Sequence, residues 1–220
     1  MQHAHQARRE DALRGGLGVA GDLAAIGNLI RQASIAKEED APRSRQLCVQ
    51  GNTLTFQADP EVSEAVQAHG VYVSGKILSP EANYFEVDIL EKGASSLHLT
   101  FSIGIVSRLF SLECLPGRVN DSVAFYPGDS FLFRGKEVGT PFGSRAEVGD
   151  KIGCGIRFAP ITDKSSSGHL FFTQNGKEIG AVPVNIPPGG FFPAISISSP
   201  GESLSLRSNL RFLKEEVSAL

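Results

Sequence analysis

Cysteine, methionine and tryptophan are scarce in this chain: its 220 residues include three cysteines, one methionine and no tryptophan. Cys48, Cys114 and Cys154 are odd in number, and none belongs to a Cys-x-x-Cys pair. A disulfide framework needs an even number of cysteines, and a zinc ribbon needs closely spaced pairs. The pattern therefore predicts reduced thiols and no cysteine-based metal site.

Positive charge is not in surplus. Lysine and arginine number 21 against 24 aspartates and glutamates, which gives a formal net charge of -3. Binding to nucleic acid depends on cationic side chains that neutralise phosphates. The charge balance therefore argues against nucleic acid as a partner.

Long apolar runs are also missing. The longest apolar stretch near the N-terminus, residues 17–30, contains Asp22 and Asn28 and is shorter than the roughly 20 residues that a membrane-spanning helix requires. The same polar residues interrupt what would be the apolar region of a secretory signal. We therefore expect no membrane span, no membrane partner and a cytoplasmic protein, with a nuclear location as the alternative.

Glycine, phenylalanine and proline are well represented, with 24, 14 and 12 copies. Glycine and proline form turns, and phenylalanine is favoured in strands, so the composition predicts an all-β fold with many chain reversals. Apolar residues alternate with small or polar ones in residues 97–105 and again in residues 152–158. Each segment is predicted to be a strand with one buried face, which puts Cys154 on the core side.

The two ends of the chain follow a helical pattern instead. Val19, Leu23, Ile26 and Ile30 recur at spacings of four and three, and a charged linker follows them. Residues 209–220 return to similar spacing. The sequence thus predicts an N-terminal helical segment and linker (1–44), a β domain (45–208) and a short C-terminal helix (209–220).

Short strands separated by turns indicate a β-sandwich. Further strands are predicted at residues 47–56, 71–74, 83–90, 123–126, 130–133, 170–173, 177–182, 192–197 and 204–207. The dipeptide Asn175-Gly176 lies between two of them. It predicts a two-residue type I′ hairpin turn, because both residues tolerate positive φ.

Two segments match the glycine spacing of phosphate-binding motifs but lack the other features that such motifs require. Residues 16–21 read GLGVAG, but no strand is predicted before them, as a dinucleotide-binding fold requires. Residues 70–76 read GVYVSGK, but Ile77 follows where a P-loop needs a hydroxyl for Mg²⁺. No nucleophile elbow accompanies the histidines, so no enzymatic activity is predicted.

Seven segments of the β region form a set. They read NYFEVDIL (83–90), SIGIV (102–106), LPGR (115–118), SVAFYPGD (122–129), VGDKIGCGI (148–156), LFFTQNGKEIG (170–180) and FFPAISISSPGE (191–202). In this order and spacing they resemble the SPRY domain family over about residues 46–208. The resemblance implies a bent sandwich of two antiparallel sheets. It also implies a non-catalytic module whose rim loops bind short peptide segments of partner proteins, without a cofactor.

One loop departs from the family pattern. Where members commonly have tryptophan after LPG, this chain has Arg118, and Tyr126 is followed by Pro127 where histidine is usual. Arginine offers a planar fork of hydrogen-bond donors. We therefore expect selectivity to shift from an apolar side chain toward acidic or carbonyl-rich partners.

Partner binding is predicted in and beside the loop of residues 108–121, because interface anchors favour arginine and aromatic side chains. The predicted binding residues are Arg108, Phe110, Leu115, Pro116, Arg118 and Tyr126. The alternative is that Phe110, Leu112 and Leu115 only pin the loop to the core. A carbohydrate-binding, lectin-like sandwich is the alternative function, although the chain has no tryptophan platform and no acidic cluster in its loops. The oligomeric state stays open.

Overall fold

A computed structural model describes residues 41–57, 69–94, 97–160 and 166–212. These residues form thirteen β-strands and no helix, in agreement with the predicted all-β class. The strands are β1 (Leu47–Gln50), β2 (Thr53–Phe56), β3 (Gly70–Val73), β4 (Tyr84–Glu91), β5 (Ser102–Val106), β6 (Ser122–Tyr126), β7 (Phe131–Arg134), β8 (Thr140–Pro141), β9 (Lys151–Phe158), β10 (Ser167–Gln174), β11 (Lys177–Asn185), β12 (Phe192–Ile197) and β13 (Ser203–Leu210).

The strands form two antiparallel sheets with a shared core, as the predicted sandwich requires. The seven-stranded sheet has the order β1-β2-β13-β4-β9-β10-β11, and the six-stranded sheet has the order β3-β12-β5-β6-β7-β8. The last strand, β13, lies between β2 and β4. Strands from the beginning and the end of the β region are therefore neighbours in one sheet.

The core between the sheets is rich in phenylalanine. Phe85 and Phe172 enter it from the seven-stranded sheet and Phe125 enters it from the six-stranded sheet. Burial of a side chain of this size contributes roughly 1.5–3 kcal/mol to stability. Cys154 is fully buried in the same core, as the strand pattern predicts, and the burial raises the pKa of its thiol.

The predicted hairpin turn is confirmed. Asn175 and Gly176 have φ angles of 53° and 78°, and they connect β10 to β11. The side chain of Asn175 adds two contacts outside the hairpin: its Oδ1 accepts from the backbone N–H of Lys151 at 2.9 Å, and its Nδ2 donates to Asp150 at 2.8 Å. The turn is therefore tied to the start of β9.

Two predicted strands differ from the observed ones. Residues 97–101 lie outside β5, and Leu97 is 88% exposed, but Leu99 and Phe101 are buried in the core, so the alternation identifies buried side chains there without a paired strand. Residues 47–56 form two strands, because the chain turns back at Gly51, which has a φ of 59°. The two-residue strand β8 was not predicted from the sequence, since it is too short to show alternation.

The central strands β5, β6 and β12 of the six-stranded sheet are buried on both faces. Ser102 occupies a polar position of the alternation in residues 97–105, yet it is fully buried, and its hydroxyl lies 2.7 Å from that of Ser196 on β12. Part of the cover on the outer face comes from the loop of residues 107–121. In this loop Gly117 lies so close to the sheet that a Cβ atom would come within 2.9 Å of the Ala124 nitrogen.

The helices predicted at the two ends fall almost entirely outside the described residues. Residues 41–44, the end of the predicted linker, run beside β3: the N–H of Ser44 donates to the carbonyl of Val71, and that of Val73 donates to the carbonyl of Pro42. The first two residues of the segment 209–220 belong to β13.

Candidate functional site

A groove of about 580 Å³ lies where four separate segments of the chain meet, and we call it the rim groove. Its lining comes from Pro42 before β1, from the end of β3, from the segment after β5 and from the start of β12. The lining residues are Pro42, Val73, Ser74, Gly75, Ser107, Arg108, Phe110, Leu112 and Phe192. Most of these side chains are apolar, and Arg108 supplies a positive charge.

Backbone hydrogen bonds fix the walls of the rim groove relative to one another. The N–H of Ser74 donates to the carbonyl of Pro193 at 2.9 Å, which joins the end of β3 to β12. The N–H of Ser107 donates to the carbonyl of Asp121 at 3.0 Å, which closes the long loop at its base. Both walls therefore continue directly from paired strands, and such elements hold a site more rigidly than an isolated loop.

A turn directs the side chains that follow β5. The N–H of Phe110 donates to the carbonyl of Ser107 at 3.2 Å. Arg108 and Leu109 at the tip of this turn are exposed, Leu109 by 93%, whereas Phe110 is half-buried and contributes to the groove wall. A cation and two apolar side chains thus lie within three consecutive residues.

A second groove of similar volume adjoins the first. It shares Gly75, Arg108 and Phe192 with the rim groove and continues past Lys76 and Ile77. Lys76 and Arg108 bring two positive charges to the joined grooves, and none of the described lining residues is acidic. This arrangement suits an apolar segment that carries a carboxylate.

Arg118 lies in a different environment, on the outer face of the six-stranded sheet. Its guanidinium carbon is 3.7 Å from the ring centroid of Phe133 and 5.4 Å from that of Tyr126. These two rings and Ala124 form a small hydrophobic cluster apart from the main core, which we call the outer cluster. Arg118 also donates to the carbonyl of Glu137 at 3.2 Å, so its side chain covers the outer cluster.

Tyr126 and Pro116 make internal contacts as well. The hydroxyl of Tyr126 donates to the carbonyl of Pro116 at 2.9 Å, and both residues are buried. Burial raises the pKa of Tyr126. The N–H of Arg118 donates to the carbonyl of the half-buried Leu115 at 3.1 Å. This half of the loop is therefore held against the sheet.

The six predicted binding residues separate into two groups. Arg108 and Phe110 line the rim groove, whereas Pro116, Arg118 and Tyr126 belong to or contact the outer cluster. Leu115 adjoins the second group through its backbone. Their role in partner binding stays a prediction.

Several groove residues were not predicted from the sequence. Gly75 and Phe192 lie far from the predicted loop along the chain, and strand pairing brings them next to it. One signal was present: Gly75 directly follows the strand predicted at residues 71–74, which corresponds to β3. A second signal was the segment FFPAISISSPGE, which starts at Phe191, one residue before β12 begins.

Within the described ranges, no three or more histidine, cysteine, aspartate or glutamate side chains lie close enough together to hold a metal ion. Within the same ranges, no helix has the length and apolarity needed to cross a membrane.

Several known proteins are similar to this chain in sequence. SPRY domain-containing protein 3 from Homo sapiens is 35% identical over 179 residues, which are 81% of this chain and 38% of that protein. The Ran-binding protein M homolog from Arabidopsis thaliana is 31% identical over 121 residues, 55% of this chain and 24% of that protein. The chain therefore spans well under half the length of these relatives.

Solved structures and family models agree with these relatives. A crystal structure of a human SPRY domain matches with a TM-score of 0.67 and 34% identity, covering 78% of this chain and all of that one. The family model of the SPRY domain matches residues 82–210, which include β4 to β13. With this match over more than half of its residues, and with two antiparallel sheets in the order described above, the chain belongs to the SPRY domain family.

Proposed function

We propose that this chain binds a short peptide segment of a partner protein in the rim groove and catalyses no reaction. The observation that carries the proposal is the convergence of Arg108 and Phe110 with Phe192 and the end of β3 around one groove. The function is therefore assigned to a surface made by four segments, of which the long loop is one.

The shape and lining of the rim groove support a peptide ligand. Phe110, Leu112 and Phe192 offer apolar contact to a side chain, and Arg108 stands beside them. Interfaces of this kind obtain most of their binding energy from a few aromatic and arginine anchors. We expect one apolar side chain of the peptide to pack between the phenylalanines.

Charge supports an acidic residue in the same peptide. Arg108 and Lys76 lie along the joined grooves, and an arginine can hold a carboxylate through two parallel hydrogen bonds. A partner segment with an apolar residue next to aspartate or glutamate fits both features. The sequence predicted an acidic preference from Arg118; we assign this preference to Arg108 instead, because Arg118 covers the outer cluster.

The family supports the broader class of function. SPRY domains are protein-interaction modules, and the family is generally non-catalytic. One relative is named a Ran-binding protein M homolog. The binding partner in that name is the relative's, and we do not assign it to this chain. For this chain we propose a role as an interaction module in the cytoplasm or nucleus, with a protein partner as its ligand.

The test is a selection of peptides against the folded chain, followed by affinity measurements on variants. Arg108→Glu reverses the charge in the groove, and Phe110→Ala removes one apolar wall. Each is expected to weaken the selected peptides about tenfold or more, because a hot-spot residue contributes at least about 1.4–2 kcal/mol. Arg145→Glu, at an exposed arginine outside both grooves, serves as the charge-matched control and should leave affinity unchanged.

Two results would contradict the proposal. If peptides are selected but bind both groove variants as tightly as the wild type, the binding surface lies elsewhere. If no peptide is selected and a glycan array gives strong signals that free sugar competes away, the lectin-like alternative replaces it.

A further inference from the structure

The rim groove lies next to the first of the described residues. Residues 41–44 run antiparallel to β3, and the N–H of Val73 donates to the carbonyl of Pro42 at 2.9 Å. Ala41 is buried, whereas Pro42 is exposed and lines the groove. The chain that precedes Ala41 is therefore attached at the groove wall.

The pairing with β3 also sets the direction of this attachment. Read toward the N-terminus, first Ser44 and then Pro42 hydrogen-bond along β3, and Pro42 meets its last residue, Val73. Lys76 follows Val73 by three residues and lines the second of the joined grooves. The path from Ser44 to Ala41 therefore leads toward the part of the chain that holds Lys76.

The joined grooves hold positive charge that the described residues leave unbalanced. Arg108 and Lys76 supply two cations, and no lining residue is acidic. Within the described ranges neither of these side chains forms an ion pair, although three cations of the seven-stranded sheet do: Lys151, Arg157 and Arg207. The grooves therefore attract an anionic group that comes within reach.

The residues just before Ala41 carry the opposite charge. Residues 35–40 read IAKEED, in which Glu38, Glu39 and Asp40 are consecutive. We call residues 35–40 the acidic segment. Its first residue is an isoleucine, so the segment combines an apolar side chain with the carboxylates that suit the joined grooves.

Covalent geometry keeps these carboxylates within reach of the grooves. A chain spans at most about 3.6 Å per residue, so the Cα of Asp40 is within about 7 Å of that of Pro42, and the Cα of Glu38 is within about 14 Å. A tether this short gives an effective concentration in the millimolar range. The acidic segment is therefore a strong competitor for the grooves even if its intrinsic affinity is low.

We propose that the acidic segment binds in the joined grooves of its own chain, with its carboxylates against Arg108 and Lys76, and thereby competes with partner peptides. This inference rests on the proposed function, because it names a regulator of the same grooves. A partner peptide binds only the fraction of molecules from which the segment has withdrawn, and its apparent affinity falls in proportion to that fraction.

The first test detects the contact in the full chain without any added peptide. A carbodiimide joins an amine to a carboxylate through an amide bond, with loss of water, only when the two groups touch. We expect it to link Lys76 to the acidic segment, and mass spectrometry of the digested chain identifies the link. Lys92 and Lys136 are exposed lysines that line neither groove, and they should form no such link.

The second test measures the competition by isothermal titration with a peptide selected on the wild type. The variant combines Glu38→Gln, Glu39→Gln and Asp40→Asn, which removes three charges from the acidic segment. We expect this variant to bind the peptide at least about tenfold more tightly than the wild type, which corresponds to a segment that fills about nine-tenths of the wild-type grooves.

The matched control makes the same change in net charge at three exposed glutamates outside both grooves, and it should bind the peptide as the wild type does: Glu91→Gln, Glu137→Gln and Glu147→Gln.

The contrary results separate this inference from the proposed function. If Lys76 forms no link, or if neutralising the acidic segment leaves affinity unchanged, the inference is wrong, and the proposed function still stands when Arg108→Glu abolishes peptide binding. A linked product of twice the chain mass would overturn the internal contact in favour of a second copy. If the Lys76 link forms within one chain but the neutralised variant binds no peptide, the contact stands and the proposed function is wrong.

Discussion

Arg118 occupies the position where the family commonly has tryptophan, and its planar guanidinium lies against the ring of Phe133. Its aliphatic stem and flat head can cover apolar surface as an aromatic ring does, while the hydrogen bond to the carbonyl of Glu137 fixes its orientation. The substitution therefore retains a planar cover over the outer cluster. Arg118 has a physical role in the fold whether or not a partner touches it.

We predict that Arg118→Ala lowers the free energy of unfolding by about 1–2 kcal/mol, because the contact with the rings and the hydrogen bond to Glu137 are lost. Urea denaturation measures this change. Arg118→Lys should be intermediate, since lysine keeps the charge but not the planar contact, and Arg145→Ala should have little effect. Unchanged stability together with lost peptide affinity would instead return Arg118 to the binding surface.

Glu202 is a fully buried carboxylate between two loops. Its oxygens accept hydrogen bonds from the backbone N–H of Thr100 at 3.0 and 3.1 Å and from the hydroxyl of the same residue. Burial raises the pKa of Glu202, although the bonds from Thr100 act in the opposite direction. Desolvation thus outweighs the hydrogen bonds.

This pKa shift predicts a pH dependence of stability. The unfolded carboxyl titrates near its ordinary value of 4.5, and the folded one titrates higher. The contribution of Glu202 to stability is therefore fully present below that value and is lost as the pH rises through the folded pKa. Denaturation at several pH values should show the wild type losing stability relative to Glu202→Gln as the pH rises from about 4.5 toward neutrality. A difference that stays constant with pH would contradict this.

The β10–β11 hairpin is the element most directly specified by local sequence. Asn175 and Gly176 both have positive φ, which a two-residue turn of this type requires. We predict that Gly176→Val lowers the free energy of unfolding by about 1–2 kcal/mol, because a β-branched residue resists this conformation. Gly176→Asn is the control and should cost less, since asparagine tolerates positive φ. Equal melting temperatures for the valine variant and the wild type would refute this description of the turn.

Sequence patterns predicted most strands because their alternation coincides with the core. The segments 152–158 and 192–197 nearly match β9 and β12. The predicted strand began too early at Leu97, which is exposed although Leu99 and Phe101 after it are buried in the core. At Gly51 a tight turn interrupts a run of strand-forming residues. In both places tertiary packing, which a local pattern does not contain, decides the structure.

At the scale of the whole molecule, the position of the rim groove depends on long-range pairing. Arg108 and Phe110 were predicted to be binding residues because arginine and aromatic side chains in a loop are favoured at interfaces. Gly75 and Phe192 reach the same groove through the pairing of β12 with β3 and β5, which the sequence does not reveal. Arg118 and Tyr126 were placed in the same predicted site as Arg108 and Phe110, but the loop passes across the sheet and separates the two pairs.

The described sandwich also predicts how much of the N-terminus is needed for folding. Pro42 and Ser44 hydrogen-bond with β3, so the fold requires the chain from about residue 41 onward. Deletion of residues 1–40 should leave circular dichroism and cooperative thermal unfolding intact. A control deletion of residues 1–45 removes these bonds and should lower the melting temperature. An unfolded product from the first deletion would show that the N-terminal segment completes the core.

The central claim is that the rim groove binds a peptide, and NMR mapping of the site tests it most directly. The isotope-labelled full chain would be titrated with a peptide selected on the wild type. The account predicts that the largest amide shifts fall on Gly75, Arg108 and Phe192, and that Arg108→Glu abolishes them while Arg145→Glu does not. Shifts that leave these three residues unchanged and concentrate elsewhere on the sandwich would contradict it.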